Sequence, residues 1–375
     1  MSTAPIVKGW CPGALTPMES GDGLLVRVRP FNGFLSADQA TGLAALAETH
    51  GNGLIDLSSR ANIQIRGLTA DSYPRLIDGL RALSLLDETP QIEARRNVIV
   101  TPFWKDSDAT KSLASDLTVA LASNDAPLTP HKFGFAIDTG PTPVLQDAPA
   151  DIRIERDVSG GLILVADGAG VGKPVTIENC LAESIALAAW FLDKRDDEGR
   201  MAALLQSGHP LPDSHSTQRQ IQTYAPKPGA TPAGTMVALT YGQMKASKLA
   251  KLAGYGGLRI TPWRMLLVDN PDLPTIGGFI SDPSDPLLRV VTCAGTQGCG
   301  QGRINTRALA GALSARLKPH HKLHLSGCPK GCAHPKPSTL TVVGSSDGLS
   351  LIHNGRASDT PTQSGLTVDQ LIKAI

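Results

Sequence analysis

The chain has 375 residues and nearly balanced charge, with 35 basic and 34 acidic side chains. This balance gives no reason to expect a nucleic-acid partner, and no apolar run is long enough to span a membrane. The first residues, MSTAP, lack the basic and apolar pattern of a secretory leader. We therefore expect a cytoplasmic protein, with neither nucleic acid nor membrane as a partner and with room for two or three hydrophobic cores.

The first elements predicted along the chain are a strand, a helix and a second strand. Apolar and basic residues alternate along Leu25–Arg29, as in a strand with one buried face. Ser36 is suited to cap the helix that follows, and the glycines after that helix favour its end. The second strand is expected to run through Ile55 and Leu57 towards Arg60.

Basic side chains are frequent on the strands of this first half. Arg27, Arg60 and Gln64 lie on predicted strands or at their ends, and Arg96 and Lys132 stand near the start of two further strands. Strand arginines are often solvated or paired with carboxylates, but Asp and Glu are sparse in these segments. Because guanidinium groups bind carboxylates through two parallel hydrogen bonds, the pattern favours a flat or extended ligand with several carboxylates.

Later segments repeat the earlier ones in the same order, which indicates an internal duplication. Gly257 precedes Arg264 by seven positions, as Gly53 precedes Arg60, and both arginines follow a predicted strand. A second type of segment also occurs twice, with matches that begin at residues 95 and 287, 130 and 319, and 160 and 338. The order is therefore A–B–A′–B′, with residues 206–232, rich in Pro, Ser, Gln and Thr, as the expected linker.

Four cysteines in the last quarter of the chain form two spaced pairs. Five residues separate Cys293 from Cys299, and three separate Cys328 from Cys332. Two glycine-rich loops, each with two thiolates, can supply the ligands of a 4Fe–4S cluster. Structural zinc is an alternative, although zinc pairs usually lie two to four residues apart, and disulfides are disfavoured without evidence of an oxidising compartment.

The other two cysteines do not fit this pattern. Cys180 lies in an apolar helical stretch, where a small buried thiol is expected. Cys11 precedes a Pro-Gly turn near the N-terminus, and we expect it to be structural as well.

The cysteine pairs, the duplication and the arginine-rich first half resemble the sulfite and nitrite reductase superfamily, over roughly residues 10 to 350. Within it, the segments KGWCPGALTPMESGDGLLVRV, SSRANIQIRGL, LRITPWR and SGCPKGCAHP are similar to the precorrin-3B synthase family. The resemblance implies an α+β fold with two ferredoxin-like halves in a central domain and two related α/β domains beside it. The implied boundaries are 10–90 and 233–284 for the halves, 91–205 and 285–375 for the α/β domains, and 206–232 for the linker.

The resemblance also implies an activity and its cofactors. The family reaction is a dioxygen-dependent hydroxylation of precorrin-3A at C20, with γ-lactone formation, in aerobic cobalamin biosynthesis. It implies a 4Fe–4S cluster on Cys293, Cys299, Cys328 and Cys332, and NAD(P)H as the indirect electron source through a partner reductase. A second non-haem iron is also implied, with His131, His324 and His334 as candidate ligands. The sequence assigns no catalytic residue.

Substrate-binding residues follow from the same resemblance. Arg27, Arg60 and Arg96 match arginines that line the anion site of the reductases, and Lys132 matches the first of two lysines there. The second lysine position is Gly134. Because a site that reduces a small oxyanion needs positive charge beside the developing negative charge, the glycine favours a tetrapyrrole substrate instead.

Two other functions remain open at this point. In a sirohaem-dependent sulfite or nitrite reductase, Cys332 would bridge the cluster to the sirohaem iron. Many reductases have an asparagine between the last two cysteines, where this chain has Lys330. The third possibility is a non-catalytic protein that binds a tetrapyrrole or transfers electrons through the cluster alone.

Overall fold

The structure is a computed structural model that describes residues 11–375. The first residues, MSTAP, and residue 10, where the first expected domain begins, lie outside the described residues. Within residues 11–375, no helix is long and apolar enough to cross a membrane.

The central domain consists of two five-stranded sheets of the same plan. In spatial order, the first sheet contains β1 (Met18–Ser20), β2 (Gly23–Val28), β5 (Ile63–Leu68), β4 (Leu54–Leu57) and β14 (Gln243–Lys245). The second sheet contains β12 (Gly229–Thr231), β13 (Gly234–Ala238), β16 (Met265–Val268), β15 (Leu258–Ile260) and β3 (Phe34–Leu35). All strand pairs in both sheets are antiparallel.

Each sheet takes its last strand from the other half of the chain. Strand β14 of the second half pairs with β4, with Met244 opposite Ile55. Strand β3 of the first half pairs with β15, with Leu35 opposite Leu258. The helices α1 (Ala37–His50) and α7 (Ala246–Ala253) pack against each other, and both halves contribute to one hydrophobic core. The duplicated halves are therefore a single folding unit.

The first helix begins where the sequence predicts. Ser36 accepts a hydrogen bond from the backbone N–H of Gln39, and the Gln39 side chain accepts one from the backbone N–H of Ser36. This reciprocal capping box satisfies two N–H groups that have no partner within the helix. The helix ends before Gly51, and α2 (Ser72–Ala82) completes this half.

The two α/β domains share one topology. The first has α3 (Pro90–Arg95), β6 (Val98–Val100), α4 (Thr110–Ala122), β7 (Phe135–Ile137), β8 (Ile152–Arg156), β9 (Leu162–Ala166), β10 (Val171–Pro174), α5 (Cys180–Lys194), α6 (Met201–Gln206) and β11 (Thr217–Gln218). The second has β17 (Val290–Thr292), α8 (Thr306–Ser314), β18 (Leu323–Ser326), β19 (Ser338–Ser345), β20 (Gly348–Gly355), β21 (Gln363–Leu366) and α9 (Val368–Ala374). In both, the first three strands are parallel and the next strands are antiparallel. This repeat confirms the duplicated α+β fold.

The structure corrects the register of two sequence matches. Ala61 (φ 53°) and Arg264 (φ 60°) occupy the same left-handed position in the hairpins β4–β5 and β15–β16. Arg60 therefore corresponds to Trp263, and the match of Arg60 with Arg264 is wrong by one residue. The segment from residue 160 forms the fourth strand of its sheet, β9, whereas the segment from residue 338 forms the third, β19. Apolar strand patterns repeat with a period of two, so neighbouring strands resemble each other as closely as equivalent ones.

Two short strands lie within the segment 206–232. Strand β11 pairs with β10 at the edge of the first α/β sheet, and β12 pairs with β13 in the central domain. Edge strands of two or three residues pair through their backbones alone, so the composition of this segment contains no signal for them.

Candidate functional site

One cavity of about 270 Å³ brings together all four cysteines of the two spaced pairs. Cys293 follows β17, and Cys328 and Cys332 follow β18, its parallel neighbour. The carboxyl ends of parallel strands meet at the same edge of a sheet, which places the loops side by side. The central domain forms the opposite wall, and its polar lining includes Arg27, Asp56, Gln64, Arg66 and Arg264.

The four thiols influence one another in this cavity. All six cysteines of the chain are free. Burial raises the pKa of Cys328 and of Cys332; Cys293 and Cys299 raise both further, and Cys328 also raises that of Cys332. Four thiolates so arranged would repel one another unless cations stood between them, and thiolates are the ligands that iron–sulfur clusters use. The donor set therefore fits a cluster; within residues 11–375, no three Cys, His, Asp or Glu side chains form a group suited to a single metal ion.

Glycines allow the cysteine loops to approach each other. A Cβ atom at residue 302 would lie 2.5 Å from the backbone carbon of Gly295, and one at residue 327 would lie 3.1 Å from the Cα of Gly302. The backbone N–H of Gly327 donates to the Cys293 sulfur over 3.1 Å, and that of Gly295 donates over 3.4 Å. Side chains at these positions would separate the loops, which explains the glycine-rich sequence around the thiols.

Arg27 and Gln64 form a polar pair on the wall opposite the cysteines. They are partners in the β2–β5 ladder, and Arg27 Nε donates to Gln64 Oε1 over 2.8 Å. Burial lowers the pKa of Arg27, while the nearby Cys11 thiol, which is within hydrogen-bond reach, opposes that shift. Arg27 also lines the cysteine cavity, where a carboxylate could accept a hydrogen bond from its guanidinium group.

Arg60 and Lys132 lie together at the boundary with the first α/β domain. Arg60 Nη1 donates to the carbonyl oxygens of Lys132, over 3.2 Å, and of Pro149, over 3.4 Å. Lys132 is exposed, and Arg60 is half-buried. Neither lines the cysteine cavity, so the structure places them beside it rather than in it.

Arg96 does not have the environment that the sequence suggests. Its guanidinium binds both carboxylate oxygens of Asp87 over 2.7 Å, and it lies 4.0 Å from the Phe31 ring centroid. It is 4% exposed and is absent from the cavity lining. Arg66 is likewise bound by both oxygens of Asp22, over 2.8 and 2.9 Å. The expectation that Arg96 lacks a carboxylate partner is therefore wrong, because Asp87 lies in the loop before α3 and Asp22, the partner of Arg66, lies in the β1–β2 turn, both outside the strands.

A buried carboxylate connects three parts of the chain next to the cysteines, and the sequence analysis did not identify it. Asp56 on β4 accepts hydrogen bonds from Gln243 on β14 over 2.9 Å and from Arg307 on α8 over 3.1 Å. Burial raises the pKa of Asp56, and Arg307 and Arg66 oppose this shift. A lone acid in an apolar strand has no motif around it, so only the strand exchange and domain packing reveal its partners.

Two of the three candidate histidines lie together beneath the second cysteine loop. The His324 and His334 ring centroids are 5.7 Å apart. His324 is fully buried, and neither ring nitrogen has a hydrogen-bond partner among residues 11–375; burial lowers its pKa to about 4, which favours the neutral ring. His131 is exposed and lines a different cavity, which it shares with Cys11, Arg29 and Glu93.

The position that replaces the second lysine has no room for a side chain. A Cβ atom at residue 134 would lie 2.9 Å from the backbone oxygen of Asn97. The backbone N–H of Gly134 also donates to buried Asp151 over 2.9 Å. The packing around the start of strands β6 and β7 therefore requires glycine at position 134.

Comparisons with known proteins agree with this architecture. Residues 16–83 match the model of the nitrite/sulfite reductase ferredoxin-like half domain. The solved structure of the Mycobacterium tuberculosis NirA protein has the same fold, with a TM-score of 0.69, 19% identity, and coverage of 93% of this chain and 79% of that one. The fold is thus the duplicated fold of the sulfite and nitrite reductases.

Relatives that match most of the chain show which family within this superfamily it belongs to. A precorrin-3B synthase from Sinorhizobium sp. is 30% identical over 401 residues, which cover 96% of this chain and 86% of that protein. A ferredoxin–nitrite reductase from Synechococcus elongatus is 24% identical, with coverage of 85% and 76%, and the chloroplastic enzyme of Zea mays is 23% identical, with coverage of 85% and 69%. The chain belongs to the precorrin-3B synthase family.

Proposed function

We propose that this chain hydroxylates precorrin-3A at C20 with dioxygen and closes the γ-lactone, the precorrin-3B synthase reaction of aerobic cobalamin biosynthesis. The observation that carries the proposal is one cavity in which four thiols face Arg27 and Gln64, in a chain of this family. Such a cavity combines ligands for a redox cluster with hydrogen-bond donors for a polycarboxylate.

The four cysteines are proposed to hold a 4Fe–4S cluster. When bound, this group supplies one-electron transfer. The chain contributes Cys293, Cys299, Cys328 and Cys332 as ligands, and the N–H groups of Gly295 and Gly327 as donors to the Cys293 sulfur. Backbone donors to a ligating sulfur stabilise its negative charge.

The substrate carboxylates are proposed to bind Arg27 and Gln64 in the cavity and Arg60 and Lys132 beside it. Precorrin-3A is a large molecule with carboxylates around its rim, so its binding groups must be spread over a wide surface. Arg27 borders the cysteine cavity, and Arg60 and Lys132 lie at the first α/β domain. This spacing suits a large polycarboxylate better than a three-oxygen anion.

Electrons are proposed to come from NAD(P)H through a partner reductase. The nitrite reductases among the relatives are named for ferredoxin as their donor, so a small iron–sulfur protein is a reasonable final carrier. A second, non-haem iron is proposed as well. Its candidate ligands are His324 and His334, whose ring centroids are 5.7 Å apart, rather than His131; within residues 11–375, no third Cys, His, Asp or Glu side chain joins them in a metal-binding group.

Turnover of precorrin-3A under isotopic dioxygen tests this function. The anaerobically purified protein, with a nicotinamide-dependent reductase and labelled dioxygen, is expected to give a product heavier by one oxygen atom, and that oxygen carries the label. The same preparation is expected to lack the visible bands of sirohaem and to leave sulfite and nitrite unreduced with dithionite-reduced methyl viologen.

The opposite result would assign the alternative function. Tightly bound sirohaem with sulfite- or nitrite-dependent oxidation of the viologen would show a reductase. A protein that binds the cluster and precorrin-3A, but turns over neither substrate, would be a binding or electron-transfer protein.

A further inference from the structure

Arg264 has a backbone conformation that most residues avoid. It lies at the tip of the β15–β16 hairpin with φ 60°, in the left-handed region that is uncommon for residues other than glycine. Its side chain runs along Gly242, where a Cβ atom would lie 2.6 Å from Arg264 Cδ. Backbone strain of this kind persists where the surroundings hold it, often at functional sites. The left-handed backbone of Arg264 and the lack of a side chain at Gly242 thus together allow the position of the Arg264 side chain.

The guanidinium of Arg264 reaches both cysteine loops. Nη1 donates to the Thr292 carbonyl oxygen over 3.5 Å, and Nη2 donates to the Ala333 carbonyl oxygen over 3.3 Å. Thr292 directly precedes Cys293, and Ala333 directly follows Cys332. One side chain of the central domain therefore contacts the two loops at the residues next to their first and last thiols.

No carboxylate of residues 11–375 forms an ion pair with Arg264. Of the ion pairs within residues 11–375, those of Arg66 and Arg307 involve Asp22 or Asp56, and none includes Arg264. Burial lowers the pKa of Arg264, and Asp56 is the largest influence that opposes it, followed in the same direction by Cys293. An arginine remains protonated at neutral pH even so. The charged guanidinium of Arg264 therefore lines the same cavity as the four thiols.

We propose that Arg264 is a positioning residue for the iron–sulfur cluster, which joins the two cysteine loops to the central domain and places a fixed positive charge beside the cluster. The inference rests on the proposed cluster ligation. Reduction adds negative charge to a cluster, so a nearby cation favours the reduced form. The two carbonyl contacts have a separate effect, because they oppose the opening of the loops through which iron is lost.

Two substitutions of Arg264 separate these effects. Arg264→Gln removes the charge and is expected to lower the reduction potential and to speed bleaching of the cluster by a chelator on the order of tenfold, the loss expected for a hydrogen bond from a charged group. Arg264→Lys keeps the charge, but a single ammonium group cannot span both carbonyl oxygens. We expect a near-normal potential with faster bleaching.

A matched pair of glycine substitutions tests the position of the Arg264 side chain without changing Arg264 itself. Gly242→Ala would push the Arg264 methylenes aside, whereas at Gly33, the equivalent turn of the first half, an added Cβ meets only the Ile260 oxygen at 3.8 Å. Both glycines have similar positive φ, 74° and 66°, so both substitutions cost similar backbone strain. Faster bleaching in Gly242→Ala than in Gly33→Ala is the expected result.

The measurements are iron and sulfide content, the chelator-dependent bleaching rate, the reduction potential from a dye-mediated titration, and far-ultraviolet circular dichroism to confirm folding. An unchanged bleaching rate and an unchanged reduction potential in Arg264→Gln would overturn this inference and would leave the proposed cluster and function intact. A raised Michaelis constant with an unaltered cluster would assign Arg264 to substrate binding instead. If Arg264→Gln folds without a cluster, the bleaching rates of Arg264→Lys, Gly242→Ala and Gly33→Ala test the inference instead. Wild-type protein without iron and sulfide would overturn the proposed cluster itself.

Discussion

Replacing any one of Cys293, Cys299, Cys328 and Cys332 by serine is expected to remove most of the cluster and to reduce turnover to background. The wild-type protein, purified without oxygen, should contain about four irons and four acid-labile sulfides per chain. A serine hydroxyl is a much weaker ligand for iron than a thiolate, and three remaining thiolates leave one iron exposed. Iron and sulfide analysis together with the visible spectrum measures the loss.

Cys180 is the matched control for these substitutions. It is fully buried at the start of α5 in the first α/β domain, away from the cysteine cavity. Cys180→Ser is expected to keep the full iron content, although a buried hydroxyl lowers the stability of that domain. Stoichiometric zinc without sulfide in the wild-type protein would contradict the cluster and favour the zinc alternative.

Arg27→Met is expected to raise the Michaelis constant for precorrin-3A by about 10- to 100-fold and to leave the cluster spectrum intact. The loss corresponds to about 1.5–3 kcal/mol, the usual contribution of a hydrogen bond to a charged group. Steady-state kinetics with the spectrum as an internal control measures it. Normal affinity in this variant would show that Arg27 serves only its contacts with Gln64 and Cys11.

Arg96→Met provides the contrast, because its guanidinium is buried against Asp87. The substitution leaves that carboxylate without its partner and is expected to lower the free energy of unfolding by about 3–5 kcal/mol. The folded fraction should bind substrate normally. Replacing the pair together, as Arg96→Met with Asp87→Leu, should recover much of the lost stability. A weaker substrate affinity with unchanged stability would instead return Arg96 to the binding site.

The chemistry of the site was predictable where it depended on local spacing. The two cysteine pairs and their glycines indicate two loops that meet, and the alternation in Leu25–Arg29 places Arg27 on a strand, as the structure confirms. The order of repeated segments also predicts the paired topologies of the two halves. These signals extend over a few residues, so the sequence contains them directly.

The errors concern contacts that no strand or helix pattern predicts. Asp87, in the loop before α3, pairs with Arg96, and Asp22, in the β1–β2 turn, pairs with Arg66. The contacts of Arg264 with Thr292 and Ala333 require the docking of two domains. Repeated glycines also gave the wrong register for Arg264, because only the backbone conformation shows that Ala61 is its equivalent.

The exchange of β3 and β14 between the two central sheets affects how this chain can be synthesised and folded. The outer edge of β4, which ends at Leu57, has no partner strand until residues 243–245 have been made. At ordinary translation rates of 5–20 residues per second, that interval lasts on the order of 10 to 40 seconds. During this time an apolar strand offers unpaired backbone groups to any other chain nearby. We therefore expect the first half to aggregate when it is expressed alone. Chaperone binding should be most important for ribosome-bound chains that contain β4 but not yet β14.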